Sequence, residues 1–428
     1  MGAPYLGQLS VASSLLARGH EVRVLDLAAP FGPSDGDAVA AAEVFAPDVI
    51  GLTLFTVNAA RGYGLIPRLR PCTRALVVGG PHATIMPDEP LRFGADISLA
   101  GEGELAFIAA VEAISRGVPP AGPGVWSADG GLEPEAITDL DALPFPHDAV
   151  HLFDPRWYRP DGVGVAPGGS VTSRGCPAKC TFCANYVTGR GYRFRSPAHV
   201  VAELVALREH QGLSFFPFWD DAFTASRPRL EALCDAIVAE PRLAGITWSA
   251  ITPGVMVKPW DLDRMRAAGC VAINFGIESG DLAVLKSIKK GQRPEHVIAA
   301  VKAAKAAGMR TIVNIMFGFP GEGVDQLANT QDLMDTLAPD TDFFNNRGVL
   351  MPFPGTAIYD ATHREYGFTG WWLDPEKVPD EPDLHAMTAA ESAVALQEDP
   401  TLELDFFRYS DAVRTAIADC VRFKAEHN

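Results

Sequence analysis

The sequence has no uninterrupted apolar run near the ~20 residues that a membrane-spanning helix needs, and no charged, apolar, cleavable stretch at its start. It reads as cytoplasmic, with no membrane partner. Basic residues are few: 36 Lys and Arg face 53 Asp and Glu, a formal charge of −17 that no basic cluster offsets. Nucleic acids and anionic lipid surfaces would be repelled by that field, so neither is expected as a partner. Cysteine is scarce as well, seven in 428 residues and an odd number. That fits a reducing compartment better than a disulfide scaffold, and Cys72, Cys234, Cys270 and Cys420 read as buried or incidental thiols.

What remains is ordinary globular material, 47% hydrophobic and 21% charged, long enough for two or three domains. An amphipathic segment at 9–18 is followed by a strand-like run at 21–26 and a helix at 38–45. Continuous apolar strands follow at 49–54 and 75–78, and a helix closes the region at 105–115. This alternation implies a parallel, doubly wound sheet. Ligands of such sheets sit at the carboxyl ends of the strands, where residues 53–58, Gly79-Gly80-Pro81-His82 and Gly101-Glu102-Gly103-Glu104 fall. On chemistry alone that edge could hold any nucleotide-like group. Residues 117–146, rich in Gly, Pro and Asp, read as a linker.

A second run of strand–helix units starts near 153. Strands are expected at 170–173, 215–219, 247–251, 272–277, 311–317 and 343–351, with helices at 199–210, 229–239, 260–268, 281–288 and 324–337 between them. Six such units imply a partial barrel with its site at the carboxyl-end loops. Past 356 the chain carries Trp371-Trp372, a proline- and acid-rich run at 374–383 and two helical patterns, with no diagnostic motif.

The first loop of that barrel is Cys176-Pro177-Ala178-Lys179-Cys180-Thr181-Phe182-Cys183, three thiols within eight residues. Three thiolates on one loop can each take one iron of a four-iron, four-sulfur cluster, leaving the fourth iron open. The rival is a structural zinc loop, but the next thiol, Cys234, is far downstream and no histidine stands beside the loop.

Cys-x-x-x-Cys-x-aromatic-Cys, with Phe182 as the aromatic, resembles the signature of the radical S-adenosylmethionine (SAM) enzymes. The earlier order Ile-Gly-Leu-Thr, Gly-Gly-Pro-His, Gly-Glu-Gly-Glu resembles the cobalamin-binding domain of the B12-dependent members. The resemblance implies a 4Fe-4S cluster on Cys176, Cys180 and Cys183, SAM on its open iron, and cobalamin. It implies an N-terminal Rossmann-like cobalamin domain (1–120, its first strand apparently missing), a linker (121–152), a partial (β/α)6 radical SAM barrel (153–360) and a mainly helical, substrate-shaping C-terminal region (361–428).

For SAM, the resemblance implies Phe182 beside the cofactor, Asp220 and Asp221 on the methionyl amine, Glu278 on the ribose, Ser279 on the carboxylate, and Asn314 and Gly318 at the adenine. Asp220 and Asp221 also read as a helix cap with a solvated neighbour, and Ser279 as a helix cap. For cobalamin it implies Thr53, Thr56, Gly79, Gly80, His82, Gly101, Glu102 and Gly103, although His82 also reads as a turn histidine bonded within the protein. No Asp-x-His-x-x-Gly is present, so a histidine on cobalt is not expected. The activity implied is methylation of an unactivated carbon of a small specialised metabolite, through a 5′-deoxyadenosyl radical and methylcobalamin, with flavodoxin or ferredoxin as electron donor. The alternatives are a cobalamin-dependent cyclisation or ring rearrangement without methyl transfer, and a noncatalytic iron-sulfur or cobalamin-binding protein.

Overall fold

The structure is a computed structural model that describes residues 3–159, 169–185, 187–345, 348–375, 377–378 and 404–428. Most of the run expected at 374–383 lies outside the described residues. The chain divides into two compact units, one of residues 1–168, 185–189 and 370–388, the other of residues 169–184, 190–369 and 389–428.

In the first unit α1 (Leu6–Leu16) and α2 (Asp35–Phe45) precede β1 (Val49–Thr53), α3 (Ala59–Leu69) and β2 (Ala75–Gly79). The short α4 (Pro81–Ile85) and α5 (Glu89–Arg92) lead to β3 (Ile97–Leu99) and α6 (Gly103–Ser115). β1, β2 and β3 are parallel neighbours, with Val49 opposite Ala75 and Val77 opposite Ile97. Four of the five residues of β2 are buried, the reason it reads as a continuous apolar run. Within the stretch expected as linker, β4 (Val125–Ser127) and β5 (Gly130–Gly131) add an antiparallel hairpin to this sheet.

Residues 21–26 form no strand, contrary to the sequence expectation. Val22 and Val24 instead pack on a cluster of Leu9, Ala12, Ala149, Phe153 and Tyr158, and the Tyr158 hydroxyl donates to Asp26 Oδ2 at 2.7 Å. Alternation there serves packing, because a strand exists only when a neighbour pairs with it.

The second unit opens with β6 (Ser173–Arg174), antiparallel to β7 (Arg193–Phe194). It continues through α7 (Pro197–Gln211), β8 (Phe215–Pro217), α8 (Arg227–Ala239), β9 (Thr247–Pro253), α9 (Pro259–Ala267) and β10 (Cys270–Glu278). Then come α10 (Leu282–Ser287), α11 (Pro294–Ala306), β11 (Arg310–Ile315), α12 (Val324–Leu337), β12 (Phe343–Asn345) and α13 (Ala357–Tyr366). The sheet is parallel in the order β12-β11-β10-β9-β8, the strand–helix succession of an open barrel. Of the expected first strand, Ser170 makes one parallel bridge to Phe218, and Ser173 begins β6.

Strand periodicity sorts the side chains of this sheet. Ile273, Phe275, Ile277, Val313, Ile315 and Phe344 are fully buried, while Asn274, Gly276, Ile312, Asn314, Phe343 and Asn345 between them are half-buried on the other face. β12 lies at the end of the sheet, where backbone groups need a partner. Asn428, following the C-terminal helix Asp411–His427, supplies one: its side chain accepts from Phe344 N at 2.7 Å and donates to Phe344 O at 2.8 Å.

Candidate active site

The cysteine loop is held by backbone bonds at its centre. Thr181 N donates to Ile288 O at 2.9 Å, and Ile358 N donates to Thr181 O at 3.1 Å. Cys180 is buried, Cys176 half-buried and Cys183 exposed. Burial pushes the Cys176 and Cys180 thiols up, and the Lys290 ammonium works against that rise at both. Among the described residues no three His, Cys, Asp or Glu side chains converge on a single metal ion. One tetrahedral zinc would draw its sulfurs to within roughly 3.8 Å of each other. A cluster instead gives each thiolate its own iron, at wider spacing.

Lys290 was not singled out from the sequence. Its Nζ lies 2.7 Å from Glu278 Oε1 and 5.7 Å from the Phe182 ring centre. Burial alone would lower the Lys290 ammonium, yet Glu278 and the nearby thiols hold it above its usual value. Phe182 in turn meets the edge of Phe319 at 5.8 Å. Glu278 has φ 75°, a left-handed conformation costly for a residue with a side chain, at the point where the β10–β11 register shifts. Gln292 Nε2 donates to Ile277 O at 2.7 Å beside that bulge, and Gln292 Oε1 is buried with no partner among the described residues.

Other expected SAM residues fall into distinct places. Asp220 is buried and accepts from Thr172 N at 3.2 Å, from Thr172 Oγ1 at 2.9 Å and from Ser173 Oγ, with Arg229 3.6 Å away. It is an internal tie across the start of the barrel. Asp221 is exposed, and its charge reaches Cys176. Ser279 is buried against Thr330 Oγ1 at 3.1 Å, and the cap of α10 is Asp281, which accepts from Ala283 N and Val284 N.

Asn314 is half-buried and bonded to Asn274 and Asn345. Gly318, at φ 78°, is gripped twice. Its N–H donates to Glu322 Oε2 at 2.7 Å, and its carbonyl accepts from the Tyr409 hydroxyl at 2.7 Å. Glu322 stands in the same Gly-Phe-Pro-Gly-Glu turn and was not singled out from the sequence. Burial pushes its carboxyl up to about 7, and its Oε1 has no partner among the described residues.

In the first unit the carboxyl ends of β1, β2 and β3 bring Thr53, Gly79-Gly80 and Gly101 to one edge of the sheet. Gly80 (φ 97°) must be glycine, since a Cβ would lie 2.9 Å from Leu54 O. Gly101 (φ 84°) donates its N–H to Thr84 Oγ1 at 3.0 Å, and Gly103 opens α6. Glu102 is buried and accepts from Ile137 N at 2.7 Å. His82 is fully buried, with Nδ1 3.2 Å from Thr56 Oγ1 and Nε2 3.0 Å from Glu89 Oε1. Glu89 also accepts from Trp372 Nε1 at 2.8 Å. Burial would raise the Glu89 carboxyl, but the bonds from His82 and Trp372 hold it below the usual range. Both ring nitrogens of His82 are engaged, so this glycine-lined edge fits a cobalamin held without His82 on the metal.

Residues 3–111 match the B12 binding domain and residues 170–334 the radical SAM superfamily. The chain is 30% identical over 369 residues to an uncharacterized methyltransferase of Pyrococcus horikoshii, covering 83% of this chain and 78% of that protein. It belongs to the cobalamin-dependent radical SAM enzymes. A second relative of this radical SAM enzyme is the anaerobic magnesium-protoporphyrin IX monomethyl ester cyclase of Cereibacter sphaeroides, 27% identical over 66% of this chain and 47% of that protein. The fold matches that of a radical SAM methyltransferase of Kitasatospora setae, with a TM-score of 0.69 at 22% identity over 89% of this chain and 75% of that one. The enzyme's cofactors are a 4Fe-4S cluster, SAM and cobalamin. Among its described residues no helix is long and apolar enough to cross a membrane.

Proposed function

We propose that the enzyme methylates an unactivated carbon of a small specialised metabolite, working in the cytoplasm with a flavodoxin or ferredoxin as electron donor. When bound, the cluster and SAM supply hydrogen-atom abstraction and cobalamin supplies a transferable methyl group. The chain's own residues hold and orient. Cys176, Cys180 and Cys183 take three irons, and Phe182 walls the loop. Asp221, exposed beside Cys176, is the carboxylate for the methionyl amine, while Asp220 keeps the first strand in place. Glu278 faces the ribose hydroxyls, Ser279 the carboxylate, and Gly318 the adenine. Thr53, Thr56, Gly79, Gly80 and the 101–103 turn line the cobalamin.

The observation that carries this reading is a buried, charge-neutral Lys290–Glu278 pair beside a three-cysteine loop, in a chain whose other unit presents a glycine-lined sheet edge. The naming of the Pyrococcus horikoshii relative as a methyltransferase supports methyl transfer. A second reading, ring closure without methyl transfer, is supported by the Cereibacter sphaeroides cyclase. Reconstituted enzyme given SAM, a reductant and a candidate substrate separates them. 5′-Deoxyadenosine together with S-adenosylhomocysteine indicates methylation, and 5′-deoxyadenosine alone indicates the second reading. Neither product, with an intact cluster, would leave only a binding protein.

A further inference from the structure

On the half-buried face of the β8–β12 sheet, three asparagines on three adjacent strands are joined side chain to side chain. Asn345 Nδ2 donates to Asn314 Oδ1 at 2.9 Å, and Asn314 Nδ2 donates to Asn274 Oδ1 at 2.6 Å. Asn314 stands directly opposite Asn345 across β11 and β12, and opposite Gly276 on β10, one same-face step from Asn274. Asparagine is poorly suited to strands, and barrel interiors are ordinarily filled by branched apolar side chains. Three in one row call for a reason.

Mutual bonding does not use up the row. Three carboxamides carry two N–H donors and one carbonyl oxygen each, and two internal bonds leave most of the donors unspent. Whichever way the amides are turned, one end of the row keeps a spare acceptor and the other spare donors. The two unbonded ends, Asn274 Nδ2 and Asn345 Oδ1, are not among the buried polar atoms that lack a partner, so neither end is sealed in the core. Beyond Gly276 lies the ion pair, because a Cβ on that glycine would sit 3.0 Å from Glu278 Oε1 and 3.1 Å from Lys290 Nζ. That pair neutralises itself, and the half-buried residues of β9 to β12 carry no other charge.

We propose that the Asn274–Asn314–Asn345 row is the substrate-recognition surface of this unit. It takes a neutral, planar ligand presenting adjacent donor and acceptor atoms, as a carboxamide, lactam or nucleobase does, and discriminates against carboxylates and ammonium groups. A carboxamide meets such an edge with two parallel hydrogen bonds, the geometry by which asparagine reads adenine. A charge placed there would leave water for amides that cannot neutralise it. The inference rests on the proposed function only in placing substrate near the cysteine loop.

The test uses the full chain with its cluster reconstituted, and nicotinamide and nicotinate as a matched pair of probes, with dissociation constants measured by titration calorimetry or saturation-transfer NMR. The amide is expected to bind roughly tenfold more tightly than the acid, the discrimination of one bidentate amide contact. Asn274→Leu and Asn314→Leu should each bring that ratio to within about twofold, with iron content and SAM affinity of the Asn274→Leu protein unchanged. Asn274→Asp, which keeps the size and exchanges donors for acceptors, should favour 3-(aminomethyl)pyridine over nicotinamide. A ratio near one in the unaltered enzyme overturns the proposal, as does a ratio that survives both leucine substitutions. Loss of SAM affinity in step with the amide preference would assign the row to the cofactor and also overturn it. Release of 5′-deoxyadenosine from SAM and dithionite without any probe is followed separately, and its failure would count against the proposed function while leaving the binding ratio to decide on the row.

Discussion

Lys290 reaches Glu278 across twelve residues to form a buried ion pair, Nζ to Oε1 at 2.7 Å, with the lysine above the ring of the aromatic in the cysteine motif. Taking one partner from such a pair leaves the other charged and desolvated, at a cost of about 3–5 kcal/mol. Lys290→Met and Glu278→Gln should each lower the urea midpoint of unfolding. The double variant should lose less than the two singles added together, and an additive loss would show that the charges are not coupled.

Asp220 and Asp221 are adjacent in sequence and opposite in environment. Asp220→Asn should cost stability, about 3 kcal/mol, by stripping the buried Arg229 of its nearby charge. Asp221→Asn should leave stability within about 0.5 kcal/mol and weaken SAM binding by roughly tenfold, the value of one hydrogen bond to a charged group. Equilibrium dialysis with labelled SAM on both variants checks the split.

Gly318 and Tyr409 are matched. A Cβ at Gly318 would lie 2.3 Å from the Tyr409 hydroxyl, and the positive φ adds strain. Gly318→Ala should therefore reduce thermal stability and SAM affinity together. Tyr409→Phe alone should cost only about 1 kcal/mol, one hydrogen bond, and should partly rescue Gly318→Ala by opening the space.

Glu322 carries a pH signature. Its carboxyl ionises near 7 when folded against an ordinary value of 4.5, so the folded protein holds the proton more tightly than the unfolded chain. Its contribution to stability is fully present below pH 4.5 and is lost as pH rises toward and through 7, on the order of 3 kcal/mol in all. Glu322→Gln should flatten that part of the profile between pH 5 and 8 in thermal unfolding. An unchanged slope would assign it elsewhere.

The alternation of strands and helices was legible because each element carries its own period, and the cysteine loop because its spacing is local. Residues 21–26 misled for the same reason, since an alternating run looks alike whether it pairs or merely packs. The helix Pro294–Ala306 went unread, its alanines and lysines forming a weak pattern. The contacts that define the candidate sites are longer in range. Tyr409 lies 91 residues from Gly318 and Trp372 lies 283 from Glu89, and no local pattern encodes such pairs. The internal role of Asp220 was hidden likewise, because Thr172 and Ser173 come from another strand end.

The measurement that bears most directly on the whole is electron–nuclear double resonance of the reduced cluster with SAM labelled with 15N at its amine. Three cysteine-held irons and one open iron predict a nitrogen coupling that appears on adding SAM and is lost, with the cluster itself, in Cys180→Ala. A cluster signal indifferent to SAM, or zinc in place of iron on the anaerobically prepared protein, would contradict the account.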